Sequence, residues 1–204
     1  MPEVTPRISI VVPIHEMDNG AYFFDRLLKS IEQQTFRDFE VVVADNKLKM
    51  APNTNLGIKE AKGEIIKILF MDDYFCSPDA LQHIADNFKG GWLATGCLHD
   101  SSIEPTERFL FSPHYATWDR EVRFGKNTIG SPSVVAFENN EPLLFDENLS
   151  WLLDCELYGR LYDKYGLPTI LDDLDIAIGV GAHQTTHKLT NEEKWAEHEY
   201  IMRI

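Results

Sequence analysis

Residues 65–75 read IIKILFMDDYF, an apolar run that ends in two adjacent aspartates, Asp72 and Asp73. The run predicts a buried strand over residues 65–70. Two neighbouring carboxylates repel each other, so one pKa must rise unless a cation neutralises the pair. Mg²⁺ and Mn²⁺ prefer oxygen ligands, and Mg²⁺ is typically held by one or two carboxylates together with substrate phosphates. Ligands of open α/β sheets bind at the carboxyl ends of strands, so the pair predicts metal-dependent chemistry on a phosphorylated ligand. The alternative is a turn in which Asp72 caps and Asp73 faces solvent.

The first half of the chain alternates short apolar strands with amphipathic helices. Strands are predicted over residues 8–12, 39–44 and 65–70, and helices over residues 22–34 and 55–62. Further along, Ser77 and Pro78 predict the N-cap and first turn of another helix. Strands over residues 92–98, 133–138 and 174–179 and helices over 151–165 and 191–202 complete the prediction, and residues 99–130 are the least regular stretch. This order favours an α/β fold, with a central, mostly parallel sheet flanked by helices, as one domain over residues 1–204.

The charge balance restricts the partners of the protein. The chain has 19 basic and 33 acidic residues, which give a formal net charge of −14. Nucleic acid is a disfavoured partner, because phosphate backbones need clustered lysine and arginine. An anionic membrane surface is disfavoured for the same reason. A small phosphorylated ligand remains compatible with this charge, because a metal ion can supply the local positive charge.

The cysteines and the N-terminus predict a cytoplasmic location. Cys76, Cys97 and Cys155 are scattered and odd in number, which indicates a reducing compartment and neither a disulfide framework nor a zinc site. Residues 1–7 lack the basic and apolar parts of a signal peptide. No apolar run approaches the roughly 18 residues of a membrane-spanning helix, so we expect no membrane segment. The oligomeric state is left open by the sequence.

The order of five segments carries a resemblance to a known family. They are ISIVVP at residues 8–13, LKSIEQQTF at 28–36, FEVVVADN at 39–46, NLGIKEAKGEII at 55–66 and the aspartate pair at 72–73. In this order and spacing they resemble the family 2 glycosyltransferases, which have the GT-A fold, and the resemblance extends to about residue 187. It implies an inverting, metal-dependent enzyme that moves a sugar from a nucleotide-diphosphate sugar to a hydroxyl of a glycan or other acceptor. The base that we expect in the donor is uracil.

Two later segments extend the resemblance to the catalytic groups. The segment FDENL at residues 145–149, followed by LDCEL at 153–157, places Asp154 at the position of the family's catalytic base. Glu156 points to a different helical face, so we interpret it as a supporting residue. The segment GAHQ at 181–184 resembles the one whose histidine completes the metal site in some relatives. His183 is the candidate, and His187 is the alternative.

The resemblance also assigns the binding residues. It implies that Mn²⁺ or Mg²⁺ is held by Asp73, with help from Asp72 and His183. For Asp45 it implies a hydrogen bond from a uracil-like N–H. The full nucleotide-binding set that it implies is Pro13, Ile14, His15, Glu16, Asp45, Asn55 and Asp72. Tyr115, Trp118 and Trp151 are candidates for stacking on a sugar, although aromatic residues pack in cores more often.

Four positions depart from the family pattern. Thr54 replaces a frequent arginine, Leu153 replaces a glutamate, Tyr74 stands where a third carboxylate is common, and His15 with Glu16 replaces Tyr-Asn. These departures leave open a degenerate relative that only binds a nucleotide sugar or a partner protein. Regions for acceptor binding or membrane association that follow in longer relatives are not expected.

Two other enzyme classes are alternatives. A sugar nucleotidyltransferase would have a glycine-rich, basic loop after its first strand, and residues 12–17, VPIHEM, are neither. A hydrolase that forms an aspartyl phosphate would carry its nucleophile after the first strand, whereas the aspartate pair follows the third. Both alternatives therefore rank below glycosyl transfer.

Overall fold

The computed structural model describes residues 5–103 and 110–204, with Leu110 described by its backbone alone. The strands are β1 (Ile8–Pro13), β2 (Phe39–Ala44), β3 (Ile65–Ile68), β4 (Tyr74–Phe75), β5 (Trp92–Asp100), β6 (Leu110–His114), β7 (Val135–Glu138) and β8 (Thr169–Gly179). The helices are α1 (Gly20–Glu32), α2 (Met50–Glu60), α3 (Ala80–Asn87), α4 (Leu153–Tyr165), α5 (Thr185–Lys188) and α6 (Asn191–Ile201). Two 3₁₀ helices, Arg120–Phe124 and Pro132–Val134, lie between β6 and β7. The N-terminal prediction for residues 1–7 and the irregular stretch over 99–130 fall partly outside the described residues.

All eight strands form one mixed sheet. Its order is β2-β1-β3-β7-β5-β8-β4. Strand β6 lies outside this order and pairs with the part of β5 that β7 does not contact. The pairs β1–β2, β1–β3 and β5–β8 are parallel. The pairs of β7 with β3 and β5, of β4 with β8 and of β6 with β5 are antiparallel. The α/β class is confirmed, whereas the prediction of a mostly parallel sheet holds for the first three strands and is corrected to a mixed sheet beyond them.

The burial of β1 and β3 explains why these strands could be predicted from the sequence. Every residue of β1 is buried, and β3 is buried along its whole length, as expected for central strands covered on both faces. On α1, Phe23, Leu27 and Ile31 recur every fourth residue and face this core. The strand ends of β1 and β2 therefore lie side by side, with Pro13 paired with Ala44.

Four helices begin at residues other than those predicted, and tertiary hydrogen bonds are found at the starts of two of them, α2 and α3. Helix α2 starts at Met50, five residues before the predicted start, because the buried Asn53 amide donates to the carbonyls of Ile14 and Ala44 at 2.9 and 2.8 Å. Helix α3 starts at Ala80 and not at Pro78. Tertiary hydrogen bonds from Gln34 and Thr35 use the carbonyls of Ser77 and Pro78, so this segment forms a turn before the helix.

Three further findings complete the fold. The two-residue strand β4 and the short helix α5 were not predicted, because neither is long enough to show a period. All three cysteines are free thiols. Across residues 5–103 and 110–204, none of the helices combines the length and the apolar character that crossing a membrane requires.

Candidate functional site

The loop between β3 and β4 carries the aspartate pair to the edge of β8. Strand β4 pairs antiparallel with β8, so that Tyr74 lies opposite Ala177. This pairing draws the loop onto Gly179, where a Cβ atom would lie 2.5 Å from the carbonyl oxygen of Asp72. Glycine at position 179 therefore permits the close approach that places the pair against the end of β8.

Asp73 points into the protein. Its side chain is buried, and its Oδ1 accepts a hydrogen bond from the Gly179 N–H at 2.9 Å while its Oδ2 accepts one from the Ser131 hydroxyl at 3.3 Å. Burial, together with the neighbouring Asp72 carboxylate, raises the pKa of Asp73 to about 8. The alternative prediction, a turn in which Asp73 faces solvent, is thus wrong. Each Asp73 oxygen thus accepts one protein hydrogen bond, and Asp73 also lines the cavity described below.

The Asp72 carboxylate contacts a histidine from the far end of the chain. The Oδ2 atom of Asp72 lies 3.0 Å from Nε2 of His183, and the two side chains are 19% and 8% exposed. The ring of Phe23 packs on the imidazole at 5.0 Å between centroids and holds its orientation. His187 is exposed on α5, so His183 is the histidine that joins the aspartate pair.

Arg26, which the sequence interpretation missed, holds the loop between β3 and β4 in place. Its guanidinium donates to the Asp72 carbonyl at 2.7 Å and to the Asp100 carboxylate at 2.9 Å. The Tyr74 hydroxyl donates to the same carboxylate at 2.7 Å, which gives the departure at position 74 a structural role. The only sequence signal was the position of Arg26, three residues after Phe23 on the inner side of α1.

Asp154 lies in the first turn of α4, where the helix dipole favours a carboxylate. Its Oδ1 accepts the Cys155 N–H at 2.7 Å and its Oδ2 accepts the Asn127 amide at 2.7 Å. Burial raises the pKa of Asp154 to about 6, so at neutral pH most of the carboxyl groups are ionised. Asn127 was missed because it lies in the irregular stretch, where its own Oδ1 accepts N–H groups of residues 129 and 130.

These side chains share one cavity of about 220 Å³. Its lining includes His15, Asp72, Asp73, Trp151, Asp154 and His183. The aspartate pair, the predicted base and the predicted histidine come from three separate segments, and the fold brings all of them together. The cavity therefore contains a carboxylate–imidazole pair on one wall and a second, ionisable carboxylate from α4.

A second cavity, of about 600 Å³, lies at the ends of β1 and β2. Ile14, His15, Glu16 and Asp45 line it, and all four belong to the predicted nucleotide-binding set. His15 also lines the first cavity, so the two are neighbours. Burial lowers the pKa of His15, which keeps its imidazole neutral and able to accept or donate one hydrogen bond.

Two predicted nucleotide-binding residues lie elsewhere. The Asn55 amide is buried and exchanges hydrogen bonds with the backbone of Phe145 at 2.9 and 2.7 Å, so it ties α2 to the segment before α4. Pro13 is buried at the end of β1. Glu156, interpreted above as a supporting residue, forms an ion pair with Arg160 on another face of α4. None of the three lines either cavity.

The fit of a metal ion rests on the Asp72–His183 pair. Within the described part of the chain, no group of three or more histidine, cysteine, aspartate or glutamate side chains is arranged to hold a metal. One carboxylate oxygen and one imidazole nitrogen do converge on the cavity wall. Carboxylate and imidazole are both ligands of Mn²⁺, and Mg²⁺ commonly completes its shell with phosphate oxygens and water. The pair therefore fits a metal that a phosphorylated ligand helps to bind.

Comparisons with known proteins match the fold. No family model and no curated protein sequence matches the chain. Among solved structures, residues 1–349 of Staphylococcus aureus TarS bound to UDP-GlcNAc align with a TM-score of 0.66 at 16% identity, over 96% of this chain and 65% of that one. The complex of the same fragment with UDP has a TM-score of 0.62 at 20% identity, over 86% and 61%.

A mannosyltransferase, PcManGT from Pyrobaculum calidifontis in complex with GDP-Man and Mn²⁺, aligns with a TM-score of 0.55 at 16% identity, over 88% of this chain and 59% of that one. The chain thus spans less than two thirds of each of these proteins. At this level of identity the likeness concerns architecture. The chain has the α/β fold of glycosyltransferases that bind nucleotide sugars.

Proposed function

We propose that the protein is an inverting glycosyltransferase that uses a nucleotide-diphosphate sugar. The observation that carries the proposal is the cavity shared by Asp72, His183 and Asp154, which adjoins the second cavity through His15. A donor that spans both cavities would place its base near Asp45 and its diphosphate beside Asp72 and His183. The UDP, UDP-GlcNAc and GDP-Man of the similar structures support a ligand of this class.

Uracil is the proposed base. Asp45 follows β2, lines the second cavity and carries a carboxylate that can accept the N3–H of uracil. Ile14, at the end of β1, offers an apolar surface on the same cavity. At the phosphates, Asp72 and His183 would hold Mn²⁺ or Mg²⁺. The ion would neutralise the charge that develops on the departing diphosphate.

Asp154 is the proposed general base. Its ionised carboxylate would accept the proton of the acceptor hydroxyl while the hydroxyl oxygen attacks the anomeric carbon. The bond from that carbon to the diphosphate breaks on the opposite face, so the configuration inverts and no covalent intermediate forms. The Asn127 amide and the Cys155 N–H orient the carboxylate for this role. The acceptor would be a glycan or another molecule with a hydroxyl group. With three free cysteines, a reducing, cytoplasmic setting is the proposed location.

A binding protein without turnover is the second candidate. It is favoured by the burial of Asp73, whose two oxygens both accept protein hydrogen bonds, so that Asp72 and His183 are the more exposed candidates for holding a metal. Donor binding would then persist, and hydrolysis or transfer of the sugar would be absent with every acceptor.

The test is a panel of nucleotide sugars in a thermal-shift assay. UDP-GlcNAc, UDP-glucose and GDP-mannose are compared with and without Mn²⁺. We expect Mn²⁺-dependent stabilisation by the UDP sugars, about 2.7 kcal/mol at a ligand concentration of 100 times Kd. Slow release of UDP, measured by coupled assay, then separates the enzyme from the binding protein. The absence of any shift with all three donors would contradict the proposal.

A further inference from the structure

We propose that a third cavity, between α6 and the start of α4, binds the carbohydrate acceptor; this inference rests on the proposed function. The cavity has a volume of about 330 Å³. We call its lining the Trp195 face, which consists of Trp151, Asn191, Lys194, Trp195 and His198. Of the residues in the Trp195 face, only Trp151 also lines the cavity that contains Asp154.

The Trp195 face is continuous with the transfer site. Trp151 lines both the third cavity and the cavity that contains Asp154. Trp151 also precedes Asp154 by three residues in the chain. A saccharide bound on the Trp195 face would therefore extend past Trp151 towards the proposed base, which is the direction that an acceptor hydroxyl requires.

The face is built by regular structure and held rigidly. Asn191, Lys194, Trp195 and His198 follow the i, i+3, i+4, i+7 pattern and so share one side of α6. Glu197 lies between them in sequence and turns to α4, where its carboxylate accepts the N–H groups of residues 150, 151 and 152 at 2.8, 2.8 and 2.9 Å. These three charge-assisted bonds fix α6, and with it Trp195, relative to the backbone of Trp151.

The chemistry of the face suits a sugar. Trp195 is 68% exposed, and a large apolar ring left in water commonly marks a ligand groove or an interface. The Lys194 amine lies 5.6 Å from the centre of the Trp151 ring, and His198 packs edge-on to Trp195 at 5.8 Å. Indole rings cover the C–H faces of a pyranose, while the Asn191 amide, the lysine and the histidine offer donors and acceptors to its hydroxyls.

Other occupants fit the face less well. A single lysine in a chain of net charge −14 offers little to a nucleic acid. A cavity of about 330 Å³ has the size of a small-molecule site. A second copy of this chain is the competing occupant that the experiment must separate from a saccharide.

The four tryptophans give a direct readout. The indole N–H signals are followed by NMR while cellobiose, chitobiose, maltose and mannobiose are titrated to millimolar concentration, with UDP and Mn²⁺ present. We expect the signals of Trp195 and Trp151 to shift with at least one disaccharide, while the buried Trp92 signal does not. Trp195→Ala should weaken that disaccharide by about tenfold or more, and Trp195→Phe should weaken it less. Leu167→Ala is the matched control, because Leu167 is also 68% exposed but lies outside the face.

Each contrary result has a separate meaning. If UDP binds but no disaccharide shifts Trp195, the acceptor site is overturned and the donor proposal stands. If Trp195→Ala leaves disaccharide affinity unchanged, the site is elsewhere and the inference is overturned. If the Trp195 signal shifts with protein concentration and the variant abolishes a dimer in sedimentation, a second copy covers the face and the inference is overturned. If disaccharides bind at Trp195 while no nucleotide binds, the carbohydrate site is supported and the proposed transfer fails.

Discussion

The Nε2 atom of His183 lies 3.0 Å from Oδ2 of Asp72, across 111 residues of chain. The contact joins the segment after β8 to the loop after β3. Gly179 and Arg26 hold the Asp72 backbone, and the Phe23 ring packs on the His183 imidazole. Asp73, next to Asp72, instead accepts a hydrogen bond from Gly179 inside the protein. The two adjacent aspartates both line the cavity, but one carboxylate contacts the His183 imidazole and the other accepts backbone and hydroxyl hydrogen bonds that anchor the loop.

The first prediction separates the two aspartates. Asp72→Asn should abolish the Mn²⁺-dependent part of UDP-sugar binding, because the neutral amide is a poor metal ligand. Asp73→Asn should retain it, because the pKa of Asp73 is about 8 and a neutral amide can still accept the Gly179 N–H. Calorimetry with UDP-GlcNAc and Mn²⁺ measures both variants. Loss of metal-linked binding in Asp73→Asn alone would return the ligand role to Asp73.

The second prediction concerns the general base. Asp154→Asn keeps the shape of the side chain but cannot accept the acceptor proton, so transfer should fall by at least about 10²-fold while donor binding is nearly unchanged. Glu156→Gln is the control on the same helix, because Glu156 pairs with Arg160 away from the cavity. With an acceptor in hand, normal turnover by Asp154→Asn would remove this residue from the mechanism.

The third prediction is a pH profile. Because only ionised Asp154 accepts a proton and its pKa is about 6, kcat measured at saturating donor should rise about tenfold per pH unit below 6 and level off above it. The Asn127 amide donates to the ionised form and so lowers this pKa. Asn127→Ala should therefore move the midpoint to higher pH. An unchanged midpoint in this variant would show that Asn127 does not act through Asp154.

The fourth prediction tests the base specificity. Asp45→Asn should weaken UDP by up to about tenfold, because the amide oxygen still accepts the uracil N–H but lacks the charge that raises the contribution of such a bond to about 1.5–3 kcal/mol. Asp18→Asn, an exposed aspartate in the loop before α1, should have no effect. Affinities come from calorimetry with UDP and GDP at fixed Mn²⁺. Tighter binding of GDP than UDP to the wild-type protein would overturn the choice of uracil.

Much of the first half could be read from local sequence. The bounds of β2 match the prediction, and β1 differs by one residue, because buried central strands are continuous apolar runs that need no distant information. The positions of Asp45 and Asp72 followed directly from the ends of those strands. Helix α4 was also recognised, and with it the place of Asp154 in the first turn.

The errors arose where pairing partners are distant in sequence. Strand β4 is two residues long and exists because it pairs with β8, about 100 residues later, so it carries no periodic signal of its own. The antiparallel pairs of β7 with β3 and β5 made the sheet mixed, and nothing in the apolar pattern of a buried strand reports its direction. Asn55 was predicted to bind the nucleotide, and in the structure its buried amide donates a hydrogen bond to the Phe145 carbonyl.

By itself, the sequence determined which elements form, which carboxylates end them and that an α/β sheet would gather those ends at one edge, because apolar periodicity and strand termination are local properties. Only the tertiary structure decided that Asp72 and not Asp73 pairs with a histidine, that this histidine is His183 and not His187, and that Asn127 and Arg26 bond to the acidic residues. Those choices depend on which way a side chain turns between two packed segments, and that is decided by contacts such as the one between Gly179 and the Asp72 carbonyl.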